Sequence, residues 1–294
     1  VKRVIIFGCG FVGARAARLF AEQGWDVIGI TRSQDSAEQL AGEPYRVLAC
    51  DIGDPIAMAG AAELHGADAV ISAVSSGRGG EDAYRQVYLR GLENVFAFLN
   101  PGRVLFVSST SVYGQNDGEW VTEESPAEPV SPTSRVLREA EELALAKGGQ
   151  VARLAGIYGP GRSVLLRKFL DGTAVIEGDG NRHINQIHAD DAAAALLRLI
   201  TGELPGGIYN VSDDVPVTQL GCYEWLAAAL GRPLPPLGTI DLQRKRGVTN
   251  KRVSSRKLRS LGWTLRYSSY REALARDGAL LAAARGDGSG DAPP

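Results

Sequence analysis

Val4-Ile5-Ile6-Phe7-Gly8-Cys9-Gly10-Phe11-Val12-Gly13 stands at the head of this chain and decides how the rest is read. A short apolar, β-branched run feeds into three glycines spaced G-x-G-x-x-G, and a helical pattern follows from Ala14 to Gln23. Strand, tight glycine turn and helix in that order predict a dinucleotide site. Gly8 serves the turn, Gly10 lets the backbone approach a pyrophosphate, and Gly13 lets the helix pack against its strand. The free N–H groups at the helix start, with the helix dipole behind them, then hold phosphate. The loop residues expected to line that site are Gly8, Cys9, Gly10, Phe11, Val12 and Gly13.

Outward from this turn, strand and helix signals alternate. Strands are predicted at Val27–Ile30, Arg46–Ala49, Ala69–Val74, Arg103–Val107 and Val151–Leu154. A long helix is predicted over Asp82–Leu99, stopped by Pro101-Gly102, and another over Thr133–Lys147. The pattern is that of an α/β chain: a Rossmann-type doubly wound parallel sheet with a smaller C-terminal substrate lobe. Residues 1–155 form the nucleotide-binding domain. A helix capped by Asp190-Asp191 and ending near Ile200, then a strand Gly207–Val211, return to it over 188–211. Residues 156–187 and 212–282 make the smaller lobe, over the strands' C-terminal ends, where ligands of open α/β sheets bind. Residues 283–294 are read as a disordered tail, Gly/Asp/Pro-rich from Arg285.

Composition narrows the function classes. At 294 residues and 44% hydrophobic, the chain has enough apolar mass for a substantial core. A formal net charge of −2 argues against nucleic acid or an anionic membrane as partner. No apolar run approaches the ~20 residues of a spanning helix, and with the first strand starting at once no signal peptide is expected. Cys9, Cys50 and Cys222 have the wrong number and spacing for a disulfide framework or a zinc site. His65 and His183 add no ligand cluster, so no metal is expected. The expectation is a reduced, cytoplasmic protein, monomer or homodimer, acting on a small molecule. No G-x-S-x-G elbow, P-loop or H-E-x-x-H motif offers a competing chemistry.

The end of the second strand bears on which nicotinamide cofactor is held, NADP or NAD. An acidic residue there would bond the adenosine ribose, but Ile30 is followed by Thr31-Arg32-Ser33. Arg32 with Ser33 suits a 2′-phosphate and tilts the reading to NADP, the alternative for Arg32 being a solvated loop. Asp51, with Ile52, is placed for the adenine edge or is simply a turn residue. Ala73, Val74 and Ser75 would lie beneath the nicotinamide half.

Further motifs accumulate along the chain: Val107-Ser108-Ser109-Thr110-Ser111-Val112-Tyr113-Gly114, Arg153-Leu154-Ala155-Gly156-Ile157-Tyr158-Gly159-Pro160-Gly161, Ile187-His188-Ala189-Asp190-Asp191, Asn250-Lys251-Arg252-Val253 and Leu261-Gly262-Trp263. With the glycine turn they make the chain resemble the extended short-chain dehydrogenase/reductases of the NAD-dependent epimerase/dehydratase group, from Val4 to about Leu280. That group usually has G-x-x-G-x-x-G, so the shorter spacing points to an atypical subgroup, and the chain is most similar to the bacterial YeeZ-like proteins. The resemblance implies hydride exchange assisted by a Ser/Thr, a Tyr and a Lys, with an Asn nearby. A free phenol titrates near ~10 and needs a cation beside it to act as a base at neutral pH.

Carried over position by position, Ser109 falls on the catalytic Ser/Thr. Where the group has Pro-Tyr-x-x-x-Lys, this chain has Pro132-Thr133 and then Leu137, and Tyr88 stands where the helix usually carries Asn. None of the nine tyrosines has a lysine four residues on; Tyr158 and Tyr267 have Arg162 and Arg271 there, outside the expected helix. Thr110 and Ser111 replace the acid and base of the dehydratases, and Ile184 replaces an arginine often set on a nucleotide-sugar pyrophosphate, with Arg182 as an alternative reach.

The catalytic candidates are therefore Ser109, Tyr113 and Tyr88. Ser109 orients a substrate oxygen or merely closes its strand end. Tyr113 is a replacement proton donor or a packing residue, and Tyr88 turns toward the nicotinamide or packs helix on sheet. His188 is read as structural, and Glu139, Glu141 and Glu142 as a solvated helix face. Two functions stay open: an NAD(P)-dependent oxidoreductase or epimerase-like enzyme on an unknown small substrate, and a non-catalytic NAD(P)-binding sensor that keeps the pocket without hydride transfer.

Overall fold

Val4, Ile5 and Ile6 are fully buried, and a run apolar on both faces can only sit inside a parallel sheet covered on both sides. In the computed structural model, which describes residues 1–77, 79–213, 215–242 and 248–285, that run is the central strand Arg3–Phe7. Seven parallel strands lie in the spatial order Gly207–Val211, Gln150–Leu154, Arg103–Ser109, Ala69–Ser72, Arg3–Phe7, Asp26–Thr31, Arg46–Ala49. The chain winds outward from Arg3–Phe7 in one direction, crosses back to Ala69–Ser72, and winds out in the other. The direction of winding reverses between these two strands, and that is where an open α/β sheet opens its ligand crevice.

One face of the sheet is covered by helix Gly13–Glu22 and helix Ala189–Thr201, which pack on each other and on Val4, Ile6, Ile71 and Leu105. The other face carries helix Pro132–Ala146 and the segment 81–98, over Ile5, Phe7, Val70 and Phe106. Ser131 starts the first of these: its Oγ accepts the Ser134 N–H at 3.2 Å with Pro132 at the first helical position. The single helix expected over Asp82–Leu99 is instead interrupted. Glu81–Tyr84 and Gly91–Phe98 are α-helical, and Arg85–Arg90 between them is a π-helical stretch. One extra residue per turn there is a local feature that hydrophobic period alone does not announce.

A third apolar cluster gathers Tyr158, Leu166, Phe169, Ile176, Tyr223, Leu226, Tyr267 and Tyr270 away from the sheet. The span expected as the smaller lobe is not all of one piece: Leu258 and Trp263 pack into the sheet core beside helix Ala189–Thr201. Two-residue strands tie that C-terminal stretch back, Arg252–Val253 pairing parallel with Trp120–Val121. Residues 283–285 of the expected tail are instead helical, within Gly278–Arg285; the rest of that span lies outside the described residues. Among the described residues no helix is long and apolar enough to cross a membrane, and no His/Cys/Asp/Glu group is arranged for a metal ion.

Candidate functional site

The glycine turn is built where the winding reverses. Gly8 takes φ +85° and lies so close to the neighbouring strand's exit that a Cβ would stand 2.5 Å from the Ala73 carbonyl oxygen. A Cβ on Gly13 would be 2.2 Å from the Gly8 oxygen. Gly10 differs: a Cβ there would meet nothing within 4 Å, so its missing side chain leaves open space rather than relieving a contact. Helix Gly13–Glu22 begins with no side-chain cap and no acidic residue in its first turn. Among the described residues nothing accepts the N–H groups of Phe11, Val12 or Gly13. Unclaimed amides, a helix start and a berth left open by a glycine fit a diphosphate.

Around that berth the other expected cofactor residues fall in a line along the strand ends. Thr31 is buried and donates its Oγ1–H to the Ser33 carbonyl; Ser33 in turn caps the short helix Gln34–Glu38, while Arg32 is exposed. Asp51 Oδ1 accepts the Gly53 N–H at 2.9 Å, and Ile52 and Gly53 are pinned by Asn94 and Gln86, which donate to their carbonyls. Ala73 and Val74 are half-buried beside Gly8, and Ser75 is exposed. Cys9 is sealed into the loop, where burial pushes its thiol up to about 12. Phe11 lies under two guanidinium groups, Arg15 at 4.3 Å and Arg162 at 5.4 Å.

Ser109 ends its strand and its Oγ accepts the Ser111 N–H at 3.2 Å, capping the short turn Thr110–Val112. Beside it, the positions where the resemblance implies a tyrosine and a lysine hold Thr133 and Leu137, both buried. The space is filled by hydroxyls: Ser131 donates to Ser134 at 2.9 Å, and Ser134 donates to Ser111 at 2.9 Å. Thr133 Oγ1 lies 3.3 Å from Ser131 Oγ. This cluster moves no net charge and supplies no cation to a phenol.

Tyr113 is wholly buried, its phenol 2.8 Å from the Thr122 carbonyl and 2.9 Å from Asn210 Oδ1. Burial raises its pKa, against the pull of the nearby Arg153 guanidinium. Tyr88 is buried on the π-helical stretch, its ring 4.9 Å from Tyr84 and 6.3 Å edge-on to Phe106. Of the tyrosine–arginine pairs, Tyr158 is buried against Tyr270 and His188 while Arg162 covers Phe11, and Arg271 stacks near Trp225. His188 caps helix Ala189–Thr201 through Nδ1, so Asp190-Asp191 are not the cap; Asp191 instead accepts the N–H groups of Arg266 and Tyr267. A His ring can cap because its unprotonated nitrogen is an acceptor.

The expected solvated glutamate face holds for two of its three residues. Glu139 pairs with Arg85, and Glu142 with Arg138, both in solvent. Glu141 is fully buried under the sheet, accepting from Arg153 at 2.9 and 2.6 Å and from Ser108 at 2.6 Å. Arg153 also lies 4.7 Å from the Tyr113 ring. The helix stripe Ser134, Leu137, Glu141, Ala144 faces inward as a set, a spacing that gave away Glu141's burial had it been applied to the charged residues too.

A residue given no role by the sequence is Lys251. It is 5% exposed, with Nζ donating to the Tyr113 carbonyl at 2.9 Å and to Thr249 Oγ1 at 2.6 Å. Burial, with the charge of Arg182, lowers its pKa to about 8.

Comparison with known proteins agrees with the fold. The model of the NAD dependent epimerase/dehydratase family matches residues 4–212. Protein YeeZ of Escherichia coli K12 is 30% identical over 281 residues, covering 91% of this chain and 97% of YeeZ. The 2'-dehydrokanamycin reductase of Streptomyces kanamyceticus is 28% identical over 254 residues, covering 81% and 69%. A solved structure from Methylobacillus flagellatus, named for the NAD-dependent epimerase/dehydratases, superposes with a TM-score of 0.79 at 32% identity, covering 97% of this chain and 99% of its own.

Proposed function

The chain belongs to the NAD dependent epimerase/dehydratase family, and from that premise we propose that it is an NAD(P)-dependent oxidoreductase of the atypical, YeeZ-like kind acting on a small substrate. The observation that carries the reading is the open space over Gly10 beside the unclaimed N–H groups of Phe11, Val12 and Gly13. A nicotinamide held there would supply hydride transfer. Arg32 and Ser33 receive the adenosine ribose and its 2′-phosphate, so NADP is preferred to NAD. Asp51 and Ile52 bound the adenine, and Ala73, Val74 and Ser75 floor the nicotinamide half.

Ser109 orients the substrate oxygen. Because Thr133 and Leu137 replace the tyrosine and lysine, the proton reaches that oxygen from water or from another group of the cleft. Tyr113, held by Thr122 and Asn210, serves that role poorly, and Tyr88 is better explained by packing on Phe106. The protein works in the cytoplasm as a monomer or homodimer. The same replacement favours a second reading, a nucleotide sensor without turnover, because Leu137 can neither hold a ribose hydroxyl nor lower the pKa of a phenol.

Calorimetric titration with NADPH and NADH tests the cofactor reading. Tighter NADPH binding that falls at least fivefold in Arg32→Ala is expected; tighter NADH binding rejects the preference, and binding of neither rejects the site. A screen of aldehydes, ketones and sugars, followed by NAD(P)H absorbance, tests the chemistry. Turnover lost in Ser109→Ala and kept in Tyr113→Phe supports the enzyme; turnover unchanged in Ser109→Ala removes that residue's role. No turnover of any substrate, with nucleotide binding intact, favours the sensor.

A further inference from the structure

Lys251 is a buried ammonium group whose hydrogen-bond partners are both neutral oxygens. Its segment, residues 248–253, runs between the turn that follows Ser109 and the strand His183–Ile184. Asn250 accepts from the His183 N–H at 2.9 Å, its carbonyl accepts the Gly118 N–H at 2.9 Å, and Asn185 bonds the backbone of Lys251 and Val253. The backbone is thus fixed from both sides, and the side chain reaches inward to Tyr113, which ends the turn opened by Ser109. An ammonium has three donors. Two are taken by neutral oxygens, and among the described residues the third has no acceptor.

The charges around it do not compensate. No carboxylate among the described residues contacts Nζ, and the repulsion of Arg182 outweighs the attraction of Glu119. Arg182 is itself three-quarters buried, its Nη2 is 3.6 Å from Glu177, and its buried Nε has no hydrogen-bond partner. Lys251, with no carboxylate partner among the described residues, and Arg182, with one carboxylate at 3.6 Å, each keep an unclaimed donor and together make a region of positive potential in a low-dielectric setting. Such an arrangement is costly alone and is repaid by an anion.

We propose that Lys251, backed by Arg182, receives an oxyanion of the substrate, a carboxylate or a phosphate, and so fixes which end of the molecule faces Ser109. The proposal rests on reading the cleft beyond Ser109 as the substrate side. It restricts the substrate class to small carbonyl or hydroxyl compounds that carry a negative charge, and it turns the chain away from neutral aldehydes and free sugars.

The test follows the ε-carbon of lysine by NMR in protein labelled with [ε-¹³C]lysine, the Lys251 signal being the one lost in Lys251→Arg. Its titration midpoint is measured alone, in acetate and in inorganic phosphate, at matched ionic strength. The expected result is a midpoint that rises from about 8 by roughly one unit in at least one anion, equivalent to tenfold tighter binding to the charged form. In Arg182→Gln the same anion should move it by less than half as much. Response to acetate alone assigns a carboxylate, and response to phosphate alone a phosphate ester. A midpoint unmoved by both anions overturns the proposal, and an undiminished response in Arg182→Gln removes Arg182 from it. Nucleotide binding is measured calorimetrically on the same samples. An anion response without nucleotide binding sinks the cofactor reading alone, and nucleotide binding without an anion response sinks this one alone.

Discussion

Glu141 and Arg153 show how far a single residue's environment departs from its type. Both are charged and both are among the most buried side chains in the molecule, joined by two hydrogen bonds and shared with Ser108. Desolvating two ions costs nearly what their attraction returns, so the pair adds little net stability, but breaking it leaves one uncompensated charge. Glu141→Gln is therefore expected to cost about 3–5 kcal/mol in urea unfolding, while Glu141→Leu with Arg153→Met recovers most of the loss. Lys251 predicts a pH dependence. Its folded pKa, about 8, lies below its ordinary 10.5, so between those values the unfolded chain holds more protons. Stability then rises with pH across that window, by up to about 3 kcal/mol at 1.36 kcal/mol per unit. Unfolding measured from pH 7 to 10.5 should show this rise in the parent and lose it in Lys251→Met. The burial of Glu141 was open to a reading of helical spacing; that of Lys251 was not, because its neighbours Tyr113 and Arg182 are far away in the chain.

At the scale of elements, the glycine turn separates two kinds of glycine that look alike in sequence. Gly13→Ala forces a Cβ onto the Gly8 carbonyl and is expected to destabilise the fold by more than about 2 kcal/mol. Gly10→Ala meets no protein atom, so its melting temperature should stay within a degree or two while nucleotide affinity falls at least tenfold. A Gly10→Ala protein that binds nucleotide as tightly as its parent would show that the berth lies elsewhere. The strand positions and the helix Pro132–Ala146 were legible because apolar runs and a Ser-Pro start are local signals. The π-helical stretch Arg85–Arg90 was not, since the spacing of apolar residues does not separate i→i+5 from i→i+4 bonding.

For the whole molecule, the C-terminal stretch is not a detachable lobe. Trp263 lies in the core formed with helices Gly13–Glu22 and Ala189–Thr201, so Trp263→Ala is expected to cost about 3–5 kcal/mol. That loss should shift one cooperative transition seen alike by circular dichroism and tryptophan fluorescence; two separated transitions would show an independent lobe. The sequence by itself determined the doubly wound sheet, the strained glycine turn at Gly8 and Gly13, and the presence of Thr133 and Leu137 where the resemblance implies a tyrosine and a lysine. Each of these is written in local order: apolar period, glycine spacing, or identity at a position. Only the tertiary structure decided that Tyr113 is spent on Thr122 and Asn210, that Glu141 is buried on Arg153, and that Lys251 closes on the turn after Ser109. Those facts depend on side chains up to 138 residues apart meeting in a medium of low dielectric. There, burial and distance set what a charge or a hydroxyl can do, and neither is encoded by any one stretch of chain.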